Sequence, residues 1–223
     1  LTGRPFVYNL RDMYPDMALG GDIVRASRAT QLWEALHRRA LRHASKVIVL
    51  GEDMRERILS KGVDSARITI VRDAVDLPDS LPSIDHPVVR EIRGAFRFVL
   101  VHAGNLGFYG AWQTLIGAAR LLERDGVGLV FVGEGAMKDA VQASARGCNN
   151  IRFLPFRPAE EIPCVMAAGD LHVVTVKRGL EGVVVPSKVY NILAAARPLL
   201  AVATDKTEVA RFAERDGCGI AAD

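Results

Sequence analysis

The chain has 223 residues, of which 49% are hydrophobic and 25% are charged, a composition typical of globular proteins that excludes general disorder. Its 29 basic and 26 acidic residues leave a net charge of +3, too small for a dedicated nucleic-acid-binding protein. No apolar run approaches the roughly 20 residues that a membrane span needs.

The start of the chain has no signal-peptide pattern, because Arg4, Pro5 and Arg11 interrupt it. The three cysteines are scattered and form no CxxC pair, which indicates neither a disulfide framework nor a zinc site. We therefore expect a cytoplasmic protein. Because the first residue is Leu1 rather than Met, we also expect the chain to be a fragment.

Short apolar runs alternate with amphipathic stretches along the first part of the chain. The pattern predicts strands at 6–10, 46–50 and 68–71 and helices at 25–45 and 52–61. Within the first helix, Leu32, Leu36, Ala40 and Ala44 share one face. A stretch rich in proline and aspartate follows, and it has the composition of a linker.

A second regular series begins after the linker. It predicts strands at 96–103, 129–132, 151–154, 171–176, 199–203 and 219–221, with helices at 112–123, 137–146, 159–168, 187–195 and 207–215. Apolar strands that are each followed by a helix indicate a parallel sheet covered on both faces. We expect an α/β chain with three parts: a partial Rossmann-like domain at 1–77, a linker at 78–95, and a doubly wound Rossmann-like domain at 96–223.

Ligands of doubly wound sheets bind beyond the carboxyl ends of the strands, and two glycine turns lie at such ends. Gly104-Asn105-Leu106-Gly107 follows one predicted strand; it permits close approach of a ligand but also suits an ordinary tight turn. Gly133-Glu134-Gly135 follows the next strand and resembles part of a dinucleotide fingerprint, although position 138 is Lys instead of the third glycine. An NAD-dependent oxidoreductase is therefore poorly supported.

The segment 179–191 carries the most information about function. Pro186 and Ser187 suit the start of a helix, with Ser187 as its cap, and Lys188 would add a positive charge there for a phosphate group. Glu181 would accept hydrogen bonds from sugar hydroxyls, and Asn191 lies one turn beyond Lys188. The alternative is a capped surface helix with an incidental lysine. Because the chain contains no D-x-D motif, we expect no metal ion and no cofactor.

The predicted helix at 25–46 carries six basic residues against one acidic residue, a local charge of +5. This face is either simply solvated or attracted to an anionic membrane surface. Two histidines within predicted strands, His102 and His172, are expected to be structural.

Four motifs of the second part resemble those of the GT-B glycosyltransferases of family 4, above all the branch that builds bacterial capsule, O-antigen and exopolysaccharide. They are Gly104-Asn105-Leu106-Gly107, Val132-Gly133-Glu134-Gly135, Phe153-Leu154-Pro155-Phe156 and Glu181-Gly182-x-x-x-Pro186-Ser187-Lys188-x-Tyr190-Asn191. In the first part, 11–16 and 68–76 resemble elements of the N-terminal domain of the same branch.

The resemblance implies a retaining, metal-independent transfer of a sugar from a nucleotide diphosphate sugar to a glycan or lipid-linked acceptor. It implies that Glu181 and Lys188 are catalytic, with Asp12 as an acceptor-side group. It places at the donor Gly104, Asn105, Gly107, Gly133, Phe156, Arg157, Gly182, Val184, Val185, Pro186, Ser187 and Asn191.

The same resemblance implies that the first half of the N-terminal domain and the last helix are missing, so that the chain alone would be inactive. Two alternatives remain open from the sequence: a non-catalytic nucleotide-sugar-binding module, and a GT-B-like nucleotide-sugar 2-epimerase.

Overall fold

The structure is a computed structural model that describes residues 4–76 and 79–223. It divides into two compact units. Unit 1 comprises Leu1–Asp73, Arg178–Val185 and Lys206–Glu208, and unit 2 comprises Ala74–Lys177, Pro186–Asp205 and Val209–Asp223. The predicted domain boundary between residues 77 and 78 lies outside the described residues. Within the described parts, every helix is too short or too polar to cross a membrane.

Unit 1 is built on a small parallel sheet. Its strands and helices in chain order are β1 (Val7–Asn9), α1 (Asp16–Gly20), α2 (Arg28–His43), β2 (Lys46–Val49), α3 (Glu52–Ser60) and β3 (Ile68–Ile70). The strand order is β1-β2-β3. Val47 and Val49 of β2 are fully buried, as expected for the central strand of a sheet covered on both faces.

Helix α2 buries a different face from the one that its leucines suggest. A capping box starts the helix, because the Ser27 hydroxyl accepts from the Thr30 amide and the Thr30 hydroxyl accepts from the Ser27 amide. The buried residues are Thr30, His37 and Leu41, whereas Leu32 and Leu36 are 61% and 57% exposed. The apolar face at Leu32 and Leu36 is therefore open to solvent.

Unit 2 is built on a six-stranded parallel sheet. Its elements in chain order are α4 (Pro87–Arg93), β4 (Phe98–Ala103), α5 (Trp112–Leu121), β5 (Val127–Val132), α6 (Lys138–Ser144), β6 (Ile151–Leu154), α7 (Ile162–Ala168), β7 (Leu171–Thr175), α8 (Lys188–Ala194), β8 (Leu199–Val202), α9 (Glu208–Arg215) and β9 (Gly219–Ala222). The strand order is β6-β5-β4-β7-β8-β9. This doubly wound parallel sheet confirms the predicted fold class.

The core of unit 2 forms around aromatic side chains beside the sheet. Trp112 and Phe131 are both buried, with ring centroids 6.1 Å apart, and Phe131 stacks on Phe153 at 4.9 Å. Burial of such rings contributes about 2–3 kcal/mol each relative to an exposed position. The Trp112 indole donates to the carbonyl oxygen of Gly107 at 2.8 Å, so the core also fixes the turn that follows β4.

Two helices were not predicted from the sequence. Helix α1 has five residues, and α4 has seven and lies within the predicted linker. Helix α4 begins at Pro87, and the His86 ring accepts from the Val88 amide, which replaces the usual Ser or Asp cap. Short helices beside a proline-rich stretch leave too little periodicity to be recognised.

Candidate functional site

The sheet of unit 2 has a topological switch point between β4 and β7. The chain runs from β4 to β5 and β6 towards one edge, and from β7 to β8 and β9 towards the other. Such a reversal opens a crevice at the carboxyl ends of the strands. A cavity of about 330 Å³ lies there, and its lining includes Ala103 at the end of β4 and Val132 at the end of β5.

Many of the predicted donor-site residues line this one cavity. They are Gly104, Asn105, Phe156, Arg157, Pro186, Ser187, Lys188 and Asn191. The remaining lining residues are mostly apolar: Ala103, Tyr109, Val132, Ile162, Val165 and Met166. The structure therefore brings the turn after β4 and the start of α8 to the same crevice.

The two glycine turns support each other at the floor of this cavity. The Gly104 amide donates to Val132 at 2.8 Å. Gly104 and Gly133 have φ values of +120° and +153°, which L side chains rarely adopt. A Cβ on Gly133 would lie 2.0 Å from the carbonyl oxygen of Gly104, so Gly133 packs beneath the first turn rather than facing the cavity. Gly107, which was also predicted to be a donor-site residue, is buried, and its carbonyl oxygen accepts from the Trp112 indole.

Lys188 crosses the first glycine turn. A Cβ on Gly104 would lie 3.3 Å from Cε of Lys188, so the side chain passes over this position because no other side chain occupies it. Its Nζ lies 2.8 Å from Nε2 of His102 and 6.0 Å from the centre of the Tyr109 ring. Burial lowers the pKa of Lys188 to about 7.

The charges around the cavity favour an anionic ligand. Among the described residues that line it, none is acidic, and the two charged side chains are Arg157 and Lys188. Arg157 is held by Glu91 and Glu161, which lie outside the lining. The hydrogen bond from Arg157 to Glu91 raises the pKa of its guanidinium. Phe156, beside it, is 61% exposed and offers a flat surface for an aromatic ligand.

The start of α8 differs from the predicted capped helix. The helix begins at Lys188, and Ser187 has helical backbone angles with no capping hydrogen bond from its side chain. A serine caps a helix from the extended region of backbone space, where its hydroxyl can reach the next free amides, so the predicted cap is wrong. Asn191 lies one turn further along and lines the cavity.

The remaining predicted site residues belong to unit 1. They are Asp12, Glu181, Gly182, Val184 and Val185. Asp12 forms an isolated antiparallel bridge with Val184, and the Glu181 carboxylate accepts from the Gly179 amide at about 3.0 Å. The chain passes from unit 1 to unit 2 between Val185 and Pro186.

A buried carboxylate that the sequence did not single out holds the loop 178–185. Asp53, at the start of α3, accepts from the amides of Glu208 at 2.9 Å and Gly182 at 3.4 Å. Gly182 has φ +66°, and a Cβ there would lie 2.3 Å from the Asp53 carbonyl oxygen. Arg57, one turn further along α3, donates to the Glu181 carbonyl oxygen at 3.1 Å. Helix α3 therefore determines the path of this loop.

A second polar cluster in unit 1 is already balanced in charge. Ligand atoms of Asp16, Glu34 and His37 lie within 4.8 Å of one another, a grouping that suits a metal ion. The Lys61 ammonium, however, lies 2.7 Å from both carboxylates, and Arg57 also contacts Asp16. A built-in cation therefore occupies the centre of this cluster.

His102 and His172 lie in buried positions of unit 2. His172 Nε2 lies 3.1 Å from the Met166 carbonyl oxygen, and burial lowers its pKa to about 4. This fits the expected structural role. His102 differs, because its second ring nitrogen faces Lys188. Its position within a strand gave no sign of this contact.

The chain is similar to known glycosyltransferases over nearly its whole length. The family described as a glycosyl transferase 4-like domain matches residues 1–74. A probable glycosyltransferase, WbjE of Pseudomonas aeruginosa, is 26% identical over 222 residues, which cover 97% of this chain and 56% of that protein. The putative colanic acid biosynthesis glycosyl transferase WcaI of Escherichia coli is 25% identical, with 96% of this chain and 55% of that protein covered.

Solved structures show the same fold. HepE of Anabaena in complex with UDP-glucose has a TM-score of 0.73 at 20% identity, covering 98% of this chain and 58% of that one. WaaG, a glycosyltransferase involved in lipopolysaccharide biosynthesis, has a TM-score of 0.69 at 18% identity, covering 96% and 60%. The chain thus spans about half the length of the curated relatives that it matches.

Proposed function

We propose that the chain belongs to the GT-B glycosyltransferases of family 4 and forms the donor side of an enzyme of surface polysaccharide biosynthesis. The enzyme moves a sugar from a nucleoside diphosphate sugar to a glycan or lipid-linked acceptor. The names of the relatives, which include colanic acid and lipopolysaccharide biosynthesis, support this class of product.

One observation carries the proposal: the cavity at the switch point of unit 2 combines a glycine turn, an acid-free lining and Lys188. A diphosphate fits beside Gly104, where the turn has no side chain of its own and Lys188 crosses it. The nucleoside lies against Phe156 and Arg157, and Asn191 reaches a ribose hydroxyl. Glu181 contacts the sugar in this proposal, and Asp12 acts on the acceptor side.

The chemical task of Lys188 is to stabilise the leaving group. Negative charge gathers on the diphosphate as the bond to the anomeric carbon breaks. A cation that is already in place at that position stabilises the transition state more than the ground state. Since lysine can supply this charge, we propose transfer without a divalent metal. Retention of the anomeric configuration is proposed from the resemblance to family 4 alone.

A membrane contact through α2 completes the proposal. Leu32 and Leu36 form an exposed apolar stripe, and Arg28, Arg39 and Arg42 lie beside it on the solvent side of the helix. Basic side chains beside apolar ones suit an anionic bilayer, where a lipid-linked acceptor would reside.

Calorimetric titration of the 223-residue chain with UDP-glucose and with GDP-mannose, in buffer containing EDTA, tests the donor site. We expect at least one of them to bind and NAD not to bind. Lys188→Ala should weaken the interaction at least tenfold, since a hydrogen bond to a charged group contributes about 1.5–3 kcal/mol. Failure of both nucleotide sugars to bind would contradict the donor site, and binding only when Mg²⁺ is added would contradict metal independence.

Transfer itself is tested by incubating the protein with the bound donor and a lipid-linked glycan, and by recording the anomeric configuration of the product by NMR. A product of inverted configuration would overturn the retaining mechanism. Donor binding without transfer to any acceptor is the result expected both of a non-catalytic module and of a chain that is inactive alone.

A further inference from the structure

The neighbour of Lys188 is a histidine whose protonation can be assigned from geometry. His102 Nδ1 lies 3.1 Å from the carbonyl oxygen of Val173. A carbonyl oxygen only accepts, so we assign the ring proton to Nδ1, which leaves a lone pair on Nε2; the ring also has a backbone hydrogen bond with Asn105. That lone pair faces the Lys188 nitrogen at 2.8 Å. His102 is therefore the acceptor, and Lys188 is the donor.

His102 is a rigid acceptor. Its ring is fully buried and packs perpendicular to Trp112, with ring centroids 4.9 Å apart, and beside Phe131 at 5.8 Å. Burial holds the pKa of His102 well below its ordinary value, so the ring stays neutral when the solution is near neutral pH. A tightly packed imidazole that stays neutral can hold the Lys188 amine at one position above Gly104.

We propose that His102 is a positioning residue for Lys188, and that Lys188 takes up a proton from solvent when a nucleoside diphosphate sugar enters the cavity. The inference rests on the proposed function and deepens it. The proton is donated by the buffer, binds the amine nitrogen of Lys188, and remains there while the resulting ammonium donates to a diphosphate oxygen.

The groups that surround Lys188 explain why the binding of a diphosphate would raise its pKa. The groups that face Lys188 are the neutral His102 on β4 and the Tyr109 ring beyond the glycine turn. The cationic Arg157 lines the same cavity. Among the lining residues that the structure describes, none is a carboxylate. Burial without a nearby anion lowers the pKa of Lys188 to about 7. The two negative charges of a diphosphate supply the missing anion and raise that pKa again.

The size of the uptake follows from that pKa. About 0.9 of the lysines are neutral at about pH 8 and about 0.1 at about pH 6, one unit either side of a pKa of about 7. We therefore expect donor binding to take up close to one proton at the higher pH and almost none at the lower. The affinity for donor should fall by up to about tenfold when the pH is raised from about 6 to about 8.

Titration calorimetry in buffers of different ionisation enthalpy measures the proton count directly. The probes are UDP-glucose and GDP-mannose, whose esterified diphosphates have no ionisation near neutral pH. If neither binds, the proposed function fails and this inference fails with it. If one binds with no proton uptake at about pH 8, the inference alone is overturned. Uptake that grows from about pH 6 to about pH 8 supports it.

Variants assign the proton to its residue. Lys188→Met should abolish the uptake, whereas Lys138→Met, which removes a lysine paired with Glu134 outside the cavity, should leave the uptake unchanged. Persistence of the uptake in Lys188→Met would overturn the assignment.

Two substitutions test the positioning role of His102. His102→Leu removes the acceptor and should weaken donor binding about fivefold to tenfold, the usual effect of losing one ordinary hydrogen bond. His102→Gln returns an acceptor oxygen and should recover part of the affinity. Wild-type affinity in a folded His102→Leu variant would overturn the role. If that variant does not fold, a His102→Gln variant that binds donor no better than Lys188→Ala would overturn it.

Discussion

Gly133 supports Gly104 by having no side chain: a Cβ at Gly133 would lie 2.0 Å from the Gly104 carbonyl oxygen. Position 133 lies after β5 and position 104 after β4, so one contact joins the ends of two neighbouring strands. The shape of the cavity floor therefore depends on a residue that does not line the cavity.

Gly133→Ala should destabilise the chain by about 2–4 kcal/mol, since strain at φ +153° adds to a steric clash with backbone. Gly147→Ala is the matched control, because Gly147 has φ +81° with open space around it and should cost about 1 kcal/mol. Urea denaturation measures both. Equal losses in the two variants would contradict the packing role of Gly133.

Asp53→Asn should loosen the loop that carries Glu181. The amide group replaces one acceptor oxygen by a donor, so the buried amide of Glu208 or Met54 loses its partner. One buried unsatisfied group costs about 1–3 kcal/mol. Asp139→Asn, at an exposed position in α6, serves as the control and should change stability by less than about 0.5 kcal/mol.

Hydrogen exchange of the amides of residues 178–185 adds a local measurement for the same variant. Faster exchange there, with the rest of the chain unchanged, is the expected result. An unchanged exchange pattern would show that Asp53 does not determine the path of the loop.

Lys61→Met should cost about 2–3 kcal/mol at neutral pH, because it removes a buried cation from between Asp16 and Glu34. Burial by itself would raise the pKa of Asp16, but hydrogen bonds from Lys61 and Arg57 outweigh it and lower the pKa. A lowered carboxyl pKa contributes stability that is present above the ordinary value of 3.8 and is lost as the pH falls through the folded value.

The loss caused by Lys61→Met should therefore be largest near neutral pH and shrink in acid. Denaturation curves of wild type and variant at about pH 7 and about pH 3 test this sign. A difference that stays constant or grows towards acid would contradict the account of the cluster.

Helix α2 should bind anionic vesicles. Arg39→Glu combined with Arg42→Glu should reduce co-sedimentation with phosphatidylglycerol vesicles strongly, since each basic residue near such a surface contributes about 1 kcal/mol. The pair Arg124→Glu and Arg146→Glu makes the same charge change at exposed positions of unit 2 and should have little effect. Equal losses for both pairs would indicate a response to net charge alone.

The sequence allowed the sheet of unit 2 to be predicted because its strands are compact apolar runs such as Leu129–Val132, each followed by glycine or a helix. The position of helix α2 was predicted from the sequence, but its buried face was not. The ion pair of Glu34 with Lys61 joins residues far apart in the chain, and the pair of Glu34 with Arg38 depends on side-chain rotamers. Hydrophobic periodicity depends on apolar residues alone and gives no information about such ion pairs.

For the candidate site, sequence reasoning found the residues that follow strands, such as Gly104 and Lys188. It could not distinguish His102 from an ordinary core histidine, because the contact with Lys188 joins residues 86 positions apart. Nor could it assign Glu181 and Lys188 to different units, although they are only seven positions apart in the sequence. The lowered pKa of Lys188 arises from burial, which only the folded chain determines.

The return of residues 178–185 and 206–208 to unit 1 has a practical consequence for anyone who wishes to produce unit 2 by itself. An expression boundary placed after Asp73 would release a polypeptide that still carries Val183, Val184 and Val185, side chains normally covered in unit 1, while deleting Met13, whose amide donates to Val183. Such a truncation would expose three apolar side chains and favour aggregation. Deletion variants of this protein should therefore also remove or replace Val183, Val184 and Val185.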